Sequence, residues 1–314
     1  MRAGGIEMIY AKDIVDFLQN MGVNAICYGN EYLRVNGFSS ISNMQHGTVT
    51  WLRKFDKGNI PAFNEFHNIL LITTPEVYEH LKGIHESAIL VDHPKMCFFE
   101  TVKNFFLQEP QYYISPTADI RTINVGRDVA IGSYCSIGEN VIIGDRVIIE
   151  DHVQIENHVQ IGNDCVISSG VVIGANGFGY YRDIDGNNSA VPHIGGVRIG
   201  DHVDIGSNTC IDRGTIEDTI IGDYTKIDNL CHIGHNAKIG KNVFIIALSM
   251  IGGSAVLEDE VYVAPGAKIM NQLHVGKNAF VGMGAVVTKS VGENDVVAGV
   301  PARVIRKRLP EDRE

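Results

Sequence analysis

From residue 125 onward an aliphatic side chain returns at every sixth position: Val125, Ile131, Ile137, Ile143, Ile149, Ile155, Ile161, Ile167 and Ile173. The rhythm resumes at Ile199, Ile205 and Ile211, slips by four residues, and runs again from Ile221 to Val287. An amphipathic helix repeats near 3.6 and an alternating strand at 2, so neither explains it. A period of six is the signature of a parallel β-helix, with one short strand and one bend per hexapeptide. Three hexapeptides close one coil of a triangular prism, about 18 residues, and the whole run predicts roughly eight coils. The aliphatic residue points inward. The glycine that often follows it relieves backbone crowding at the bend. Between Ile173 and Ile199 the stretch GANGFGYYRDIDGNN must loop out of the prism, an insertion over 174–198. Long insertions on rigid scaffolds are commonly functional, and Phe178, Tyr180 and Tyr181 are placed to close over a ligand.

The first part of the chain has another pattern. Ile14, Phe17 and Leu18 have helical spacing, with Gly22 as the stop. ILLIT (69–73) reads as a strand, followed by a Thr74 cap, Pro75 at the first helical position and Glu76 in the first turn. That helix is expected to run toward Gly83. AILVD (88–92) is the next strand, and Pro94 opens a helix with Phe98, Val102, Phe105 and Phe106 on its apolar face. Two prolines in QEPQYYISP (108–116) mark a linker. The expected organisation is a small α/β domain over 1–113, a β-helix over 114–294 and a short C-terminal tail over 295–314.

The 314 residues are 45% hydrophobic and 20% charged, as for a packed protein. A net charge of −11 argues against a dedicated nucleic-acid binder. No apolar run reaches the roughly 18–20 residues of a membrane span. The N-terminus lacks an apolar signal core, so a cytoplasmic protein is expected. Residues 1–7, ahead of Met8, read as an alternative start or an added segment. The six cysteines form no CxxC pair, so no metal site is expected, and Cys135, Cys165 and Cys231 fill small buried slots of the repeat.

The candidate chemistry sits in IDNLCHIGHNAKIG (227–240). His235 occupies the third slot of its hexapeptide, near a bend, whereas His152, His158 and His202 occupy the fourth. Asp228 and Asn229 lie on the same coil. Gly253 is one coil further, about 4.8 Å above His235 by strand spacing. A glycine there leaves room for substrate, and its N–H can face a reacting carbonyl. Base, orienting carboxylate and oxyanion donor form the set that acyl transfer needs. His232 reads as the weaker catalytic candidate.

IDRG (211–214), EDTIIG (217–222), IDNLCHIGHN (227–236) and GANGFGY (174–180), in this order and spacing, resemble the UDP-3-O-acylglucosamine N-acyltransferase family of lipid A (lipopolysaccharide) biosynthesis. GTVTWL, ILLITT and AILVDHP resemble that family's first domain. The resemblance implies a left-handed parallel β-helix of hexapeptide repeats, mainly β, assembled as a homotrimer with sites between prisms. It implies His235 as general base, Asp228 as its acid and Gly253 as oxyanion donor; the position of Asn229 beside Asp228, and of Phe178 and Tyr180 in the insertion, makes these the expected substrate contacts. The family's uracil-sandwiching Phe-x-x-Asn-x-x-Tyr falls on Trp51, Lys54 and Lys57, with Phe55 nearby. A second family histidine falls on Gln272, two residues from His274. The ending DVVAGVPARVIRKR (295–308) is more similar to CoA-dependent sugar acyltransferases. Its basic cluster, including Arg303 and Arg306, suits CoA phosphates or an acidic carrier protein, or else is a solvated terminal helix.

The expected activity is transfer of an acyl group to the amine of a nucleotide-linked amino sugar, either UDP-3-O-acylglucosamine or a dTDP/UDP amino-dideoxysugar. The expected donor is an acyl-CoA or acyl carrier protein thioester, with no tightly bound cofactor. The rival readings are a zinc-dependent γ-carbonic-anhydrase-like enzyme and a non-catalytic trimeric scaffold.

Overall fold

The structure is a computed structural model describing residues 9–55, 63–82, 87–108, 110–309 and 312. Gly83, Lys57 and residues 1–7 therefore lie outside the described residues. The chain divides into two compact units, Met1–Pro110 and Gln111–Glu314.

In the first unit the apolar stripe forms the helix Ala11–Asn20, burying Ile14, Val15 and Leu18. Gly22 ends it at φ +83°, and the Val23 N–H returns to the Leu18 carbonyl. Strands Gly37–Phe38, Thr48–Leu52, Leu70–Thr73 and Ala88–Leu90 run parallel, and Ile26–Tyr28 closes the sheet antiparallel beside Ala88–Leu90. Both faces of the sheet are covered, which is why ILLIT is a continuous apolar run. Leu70 and Ile72 pack with Ile14, Leu18 and Phe98 on one side, while Leu71 packs with Val77, Tyr78 and Leu81 on the other. Thr74 caps the next helix by accepting from the Val77 N–H at 3.3 Å. That helix is short, Pro75–Glu79, because the His80 N–H already turns back to the Val77 and Tyr78 carbonyls. The helix Pro94–Phe105 runs as expected and buries Phe98 and Val102.

In the second unit every hexapeptide becomes a short parallel strand, and the three faces hold sheets of ten, nine and eight strands. One face stacks Ile131, Ile149, Ile167, Ile205, Ile227, Ile245, Val263, Val281 and Val297 in register. The next stacks Ile120, Ile137, Ile155, Ile173, Ile211, Ile233, Ile251, Ile269 and Val287. The columns cross the irregular stretches: Ile161 pairs with Ile199, and Ile199 with Ile221. The excess residues leave the prism at its corners and the core column continues. The solenoid is of the left-handed hexapeptide type.

Two backbone features make the corners. The fourth-slot residue takes a left-handed conformation at most bends, including His152, His158 and His202 at φ +60°, +63° and +57°. These histidines are turn residues, stacked on Tyr134 and Tyr224 in two of the three cases. The glycine after the aliphatic is required by the next coil: a Cβ on Gly240 would stand 2.7 Å from the Asp259 nitrogen.

The ending differs from a solvated helix. Asp295–Ala298 is a further parallel strand on the first face, and Arg303–Lys307 folds back antiparallel on it. The antiparallel strand hydrogen-bonds the last rung, so β structure is the cheaper state there.

Candidate active site

His235 is presented at the corner that follows the strand His232–Ile233. The same corner, one coil on, is Gly253, and the 174–198 insertion leaves the prism at the corresponding corner after Ile173. The imidazole lies between two glycines. A Cβ on Gly253 would stand 2.9 Å from Nε2, and a Cβ on Gly177 would stand 2.7 Å from Cδ2 and 2.8 Å from the His235 Cβ. Neither glycine can carry a side chain without moving the ring. The Ser254 N–H holds the His235 carbonyl at 2.8 Å. Among the described residues the Gly253 N–H donates to no partner, whereas the Gly253 carbonyl accepts from Gln272 at 2.9 Å.

The other side of the ring is polar. Asn236 Nδ2 is 3.1 Å from His235 Nδ1, and Thr215 Oγ1 is 3.5 Å from it. The insertion supplies a second histidine. His193 is buried, its ring centroid 5.2 Å from that of His235 at 74°. His193 Nδ1 donates to the Val191 carbonyl at 2.9 Å, since that oxygen only accepts. Its buried Nε2 has no hydrogen-bond partner among the described residues. The return leg of the insertion is pinned by Ile194 N–H to the Thr215 carbonyl and by Gly195 N–H to the Gly214 carbonyl.

The carboxylate that acts on this cluster is Asp212. It is 7% exposed, with Oδ2 3.5 Å from His232 Nε2. Burial pushes its pKa up, against the pull of His232, His235 and His193. The His235 pKa is lowered, first by burial and then by repulsion from His193, with Asp212 opposing. The ring is therefore uncharged around neutral pH.

Asp228 and Asn229 stand on the corner before the His232–Ile233 strand, one prism edge from His235. Asp228 accepts from the Asn229 N–H at 2.7 Å and the Ala247 N–H at 3.2 Å. Asn229 Oδ1 accepts from the Ser207 N–H at 2.6 Å. Within one chain the structure brings together His235 and Gly253, and sets Asp228 and Asn229 apart from them. Gln272 sits on the His235 corner, in left-handed conformation two coils on. His274 lies on the adjacent face, 3.1 Å from Glu258. Phe178 is 88% exposed and stacks obliquely on Tyr180 at 4.9 Å, in and before the hairpin of Tyr180–Arg182 with Asn188–Ala190. In the first unit, Trp51 packs toward Phe98 while Phe55 stacks on His80, so the two aromatics join different cores. At the C-terminal end Arg306 pairs with Asp312, Lys307 with Asp295 at 2.7 Å, and Arg303 donates to the Ala302 carbonyl. Arg308 lies over the Tyr262 and Phe280 rings.

Asp212, His193, Thr215 and Asn236 were not singled out from the sequence. A signal existed for Asp212. The four-residue slip makes the local coil 22 residues, which stacks Ile211 on Ile233 and sets Asp212 beside Gly234. His193 carries no such signal, because an insertion has no register.

Among the described residues no group of three His, Cys, Asp or Glu side chains is arranged to hold a metal ion, and no helix is long and apolar enough to cross a membrane.

The bacterial transferase hexapeptide (six repeats) family profile matches residues 122–157 and 218–253, the second span holding Asp228, His235 and Gly253. A UDP-3-O-acylglucosamine N-acyltransferase of Delftia acidovorans is 41% identical over 132 residues, 42% of this chain and 39% of that protein. One from Caulobacter is 40% identical over 143 residues, 46% of this chain and 42% of that protein. The chain thus spans about two fifths of the length of these curated relatives. Among solved structures, the Francisella novicida UDP-N-acetylglucosamine acyltransferase superposes with a TM-score of 0.57 at 25% identity, covering 64% of this chain and 76% of that one. The Bacteroides fragilis enzyme of the same name, at TM-score 0.52 and 24% identity over 64% of this chain and 74% of that one, supports the fold alone. Two stretches of the β-helix thus match the bacterial transferase hexapeptide profile, and over somewhat less than half of its length the chain is similar to proteins named UDP-3-O-acylglucosamine N-acyltransferase.

Proposed function

We propose that the protein transfers an acyl group from a thioester to the amino group of a nucleotide-linked amino sugar, with His235 at the reacting centre. One observation carries this reading: a half-buried imidazole clamped between Gly177 and Gly253, with an amide N–H on the Gly253 side that no described residue uses. The names of the relatives favour UDP-3-O-acylglucosamine as the sugar over an amino-dideoxysugar, and acyl transfer over a zinc hydro-lyase or an inert scaffold. The acyl donor is an acyl carrier protein or CoA thioester, used as a co-substrate.

The residues support the chemistry as follows. The amine attacks the thioester carbonyl, and negative charge develops on its oxygen. A backbone N–H at Gly253 is a preorganised donor for that charge. An imidazole with a lowered pKa stays uncharged near neutrality, as a general base must. The same state serves a neutral hydrogen-bond donor. The insertion carries His193 and Gly177 against the ring and shields part of it from water. A single prism face has little concavity, so assembly into a trimer, with Phe178, Tyr180, Asn229 and Gln272 lining clefts between copies, completes the site. Asp228, one edge away, then faces such a cleft from a neighbouring copy.

The test is turnover of His235→Ala. The expected loss is on the order of 10²–10⁴ in kcat, the scale of removing a proton-handling side chain. Unchanged turnover in a folded variant contradicts the assignment.

A further inference from the structure

This inference rests on acyl transfer at His235 and concerns which nucleophile the site accepts. The insertion places a second imidazole beside the base, and hydrogen bonding fixes what that ring can offer. His193 Nδ1 donates to the Val191 carbonyl at 2.9 Å, because a carbonyl oxygen only accepts. A neutral imidazole has one N–H, so His193 Nε2 carries a lone pair. That nitrogen is buried, in a side chain 7% exposed, and has no hydrogen-bond partner among the described residues. A buried acceptor left unpaired is costly, so a ligand hydrogen that reaches it is bound the more firmly. The ring lies against the reacting centre: its centroid is 5.2 Å from that of His235, with the planes at 74°. Lone pairs lie in the ring planes, and planes crossing at this angle suit two diverging hydrogens on one nitrogen. The cover over Nε2 is the outgoing leg of the insertion. A Cβ on Gly179 would stand 3.2 Å from His193 Cε1 and 3.6 Å from Nε2, and Gly177 packs on His235. Phe178, between these two glycines, is 88% exposed. The leg is therefore free to lift about glycines at both ends without pulling a side chain from the core.

We propose that His193 is a specificity-determining residue: together with His235 it accepts both hydrogens of a neutral amine, and so selects an amino group over a hydroxyl as acyl acceptor. The amine enters as the Gly177–Gly179 leg lifts, one hydrogen directed to His235 and the other to His193 Nε2. Its lone pair forms the C–N bond, and the carbonyl π pair moves onto the oxygen beside the Gly253 N–H. His235 takes one amine proton. The oxygen pair re-forms the carbonyl, the C–S bond breaks, and the departing thiolate receives that proton from His235. The second hydrogen stays on the amide nitrogen throughout, and His193 exchanges no proton. A hydroxyl has a single hydrogen, which His235 uses. Its oxygen then turns a lone pair toward the lone pair of His193, and the buried nitrogen stays unpaired.

The experiment is titration calorimetry on the full-length protein without acyl donor, comparing UDP-3-O-acylglucosamine with UDP-3-O-acylglucose, which has a hydroxyl in place of the amine. It is run at a pH of about 9, above the ordinary α-amino pKa of about 8, so that the amine is neutral. The wild type is expected to bind the amino sugar about 10- to 100-fold more tightly, the scale of one buried acceptor left unpaired. His193→Phe keeps an aromatic ring and removes the acceptor, and its preference is expected to shrink about 10-fold or more. His193→Gln supplies a carbonyl oxygen instead and is expected to restore the preference, which a ring that merely fills space would not allow. Equal affinity of the wild type for the two sugars overturns the proposal without recourse to any variant. A folded His193→Phe protein that keeps the wild-type preference overturns it too. Binding of neither sugar by the wild type would instead remove the nucleotide-sugar reading of the site, and the selection with it.

Discussion

At the scale of single residues, the charge state of His235 is the quantity on which the site depends, and two neighbours act on it with opposite sign. His193 covers the ring and repels its charged form, and Asp212 attracts that form. An imidazole with a lowered pKa is uncharged down to a lower pH than usual, so the acid limb of activity should lie below the ordinary histidine value of about 6.5. His193→Ala admits water and removes the repulsion. The acid limb of its kcat/KM profile is expected at higher pH than in the wild type. Asp212→Asn removes the attraction, and its acid limb is expected at lower pH. Profiles for both variants that coincide with the wild type would contradict this electrostatic picture. His235 and Gly253 were legible in the sequence because the regular 18-residue coil stacks one on the other. Asp212 follows only when the slip is taken as a 22-residue coil, which stacks Ile211 on Ile233. His193 belongs to an insertion whose path depends on hydrogen bonds from Ile194 and Gly195 to the 214–215 loop, which no periodicity encodes.

At the scale of elements, the hexapeptide is a strand with strict steric terms at its ends. Inward aliphatic columns follow directly from the period, and the observed registers repeat it through the insertion and the slip. The glycine after each aliphatic is set by the close approach of the next coil. Gly240→Ala places a methyl group 2.7 Å from the Asp259 nitrogen, and a loss of about 1–3 kcal/mol in urea unfolding is expected. A stability equal to the wild type would show that the coils can separate freely. Gly177→Ala should act on catalysis, because its new methyl meets the imidazole: kcat is expected to drop about 10²-fold, on the scale of a misplaced reacting group. The short helix Pro75–Glu79 and the C-terminal strand pair were not legible. The first ends through local backbone turns, and the second forms because it completes the last rung of a sheet, a partner invisible to local pattern.

At the scale of the whole molecule, a rigid solenoid with one interrupted coil gives a reason for placing chemistry on a corner. The core column continues beneath the insertion, so the imidazole is held on backbone that cannot drift, while the loop above it supplies the walls. The basic groups near the C-terminal end are largely engaged within the chain, Arg306 with Asp312 and Lys307 with Asp295. A CoA- or carrier-binding role for that end, centred on Arg303 and Arg306, would therefore draw on Arg303 before the paired residues. The measurement that tests the central claim most directly is mass-spectrometric detection of the amide formed when the protein is given UDP-3-O-acylglucosamine and an acyl carrier protein thioester, with His235→Ala in parallel. The account predicts an N-acylated sugar nucleotide with the wild type and a yield reduced at least 10²-fold with the variant. Equal amide formation by both proteins, or none by the wild type with carrier protein or CoA thioesters, would contradict it.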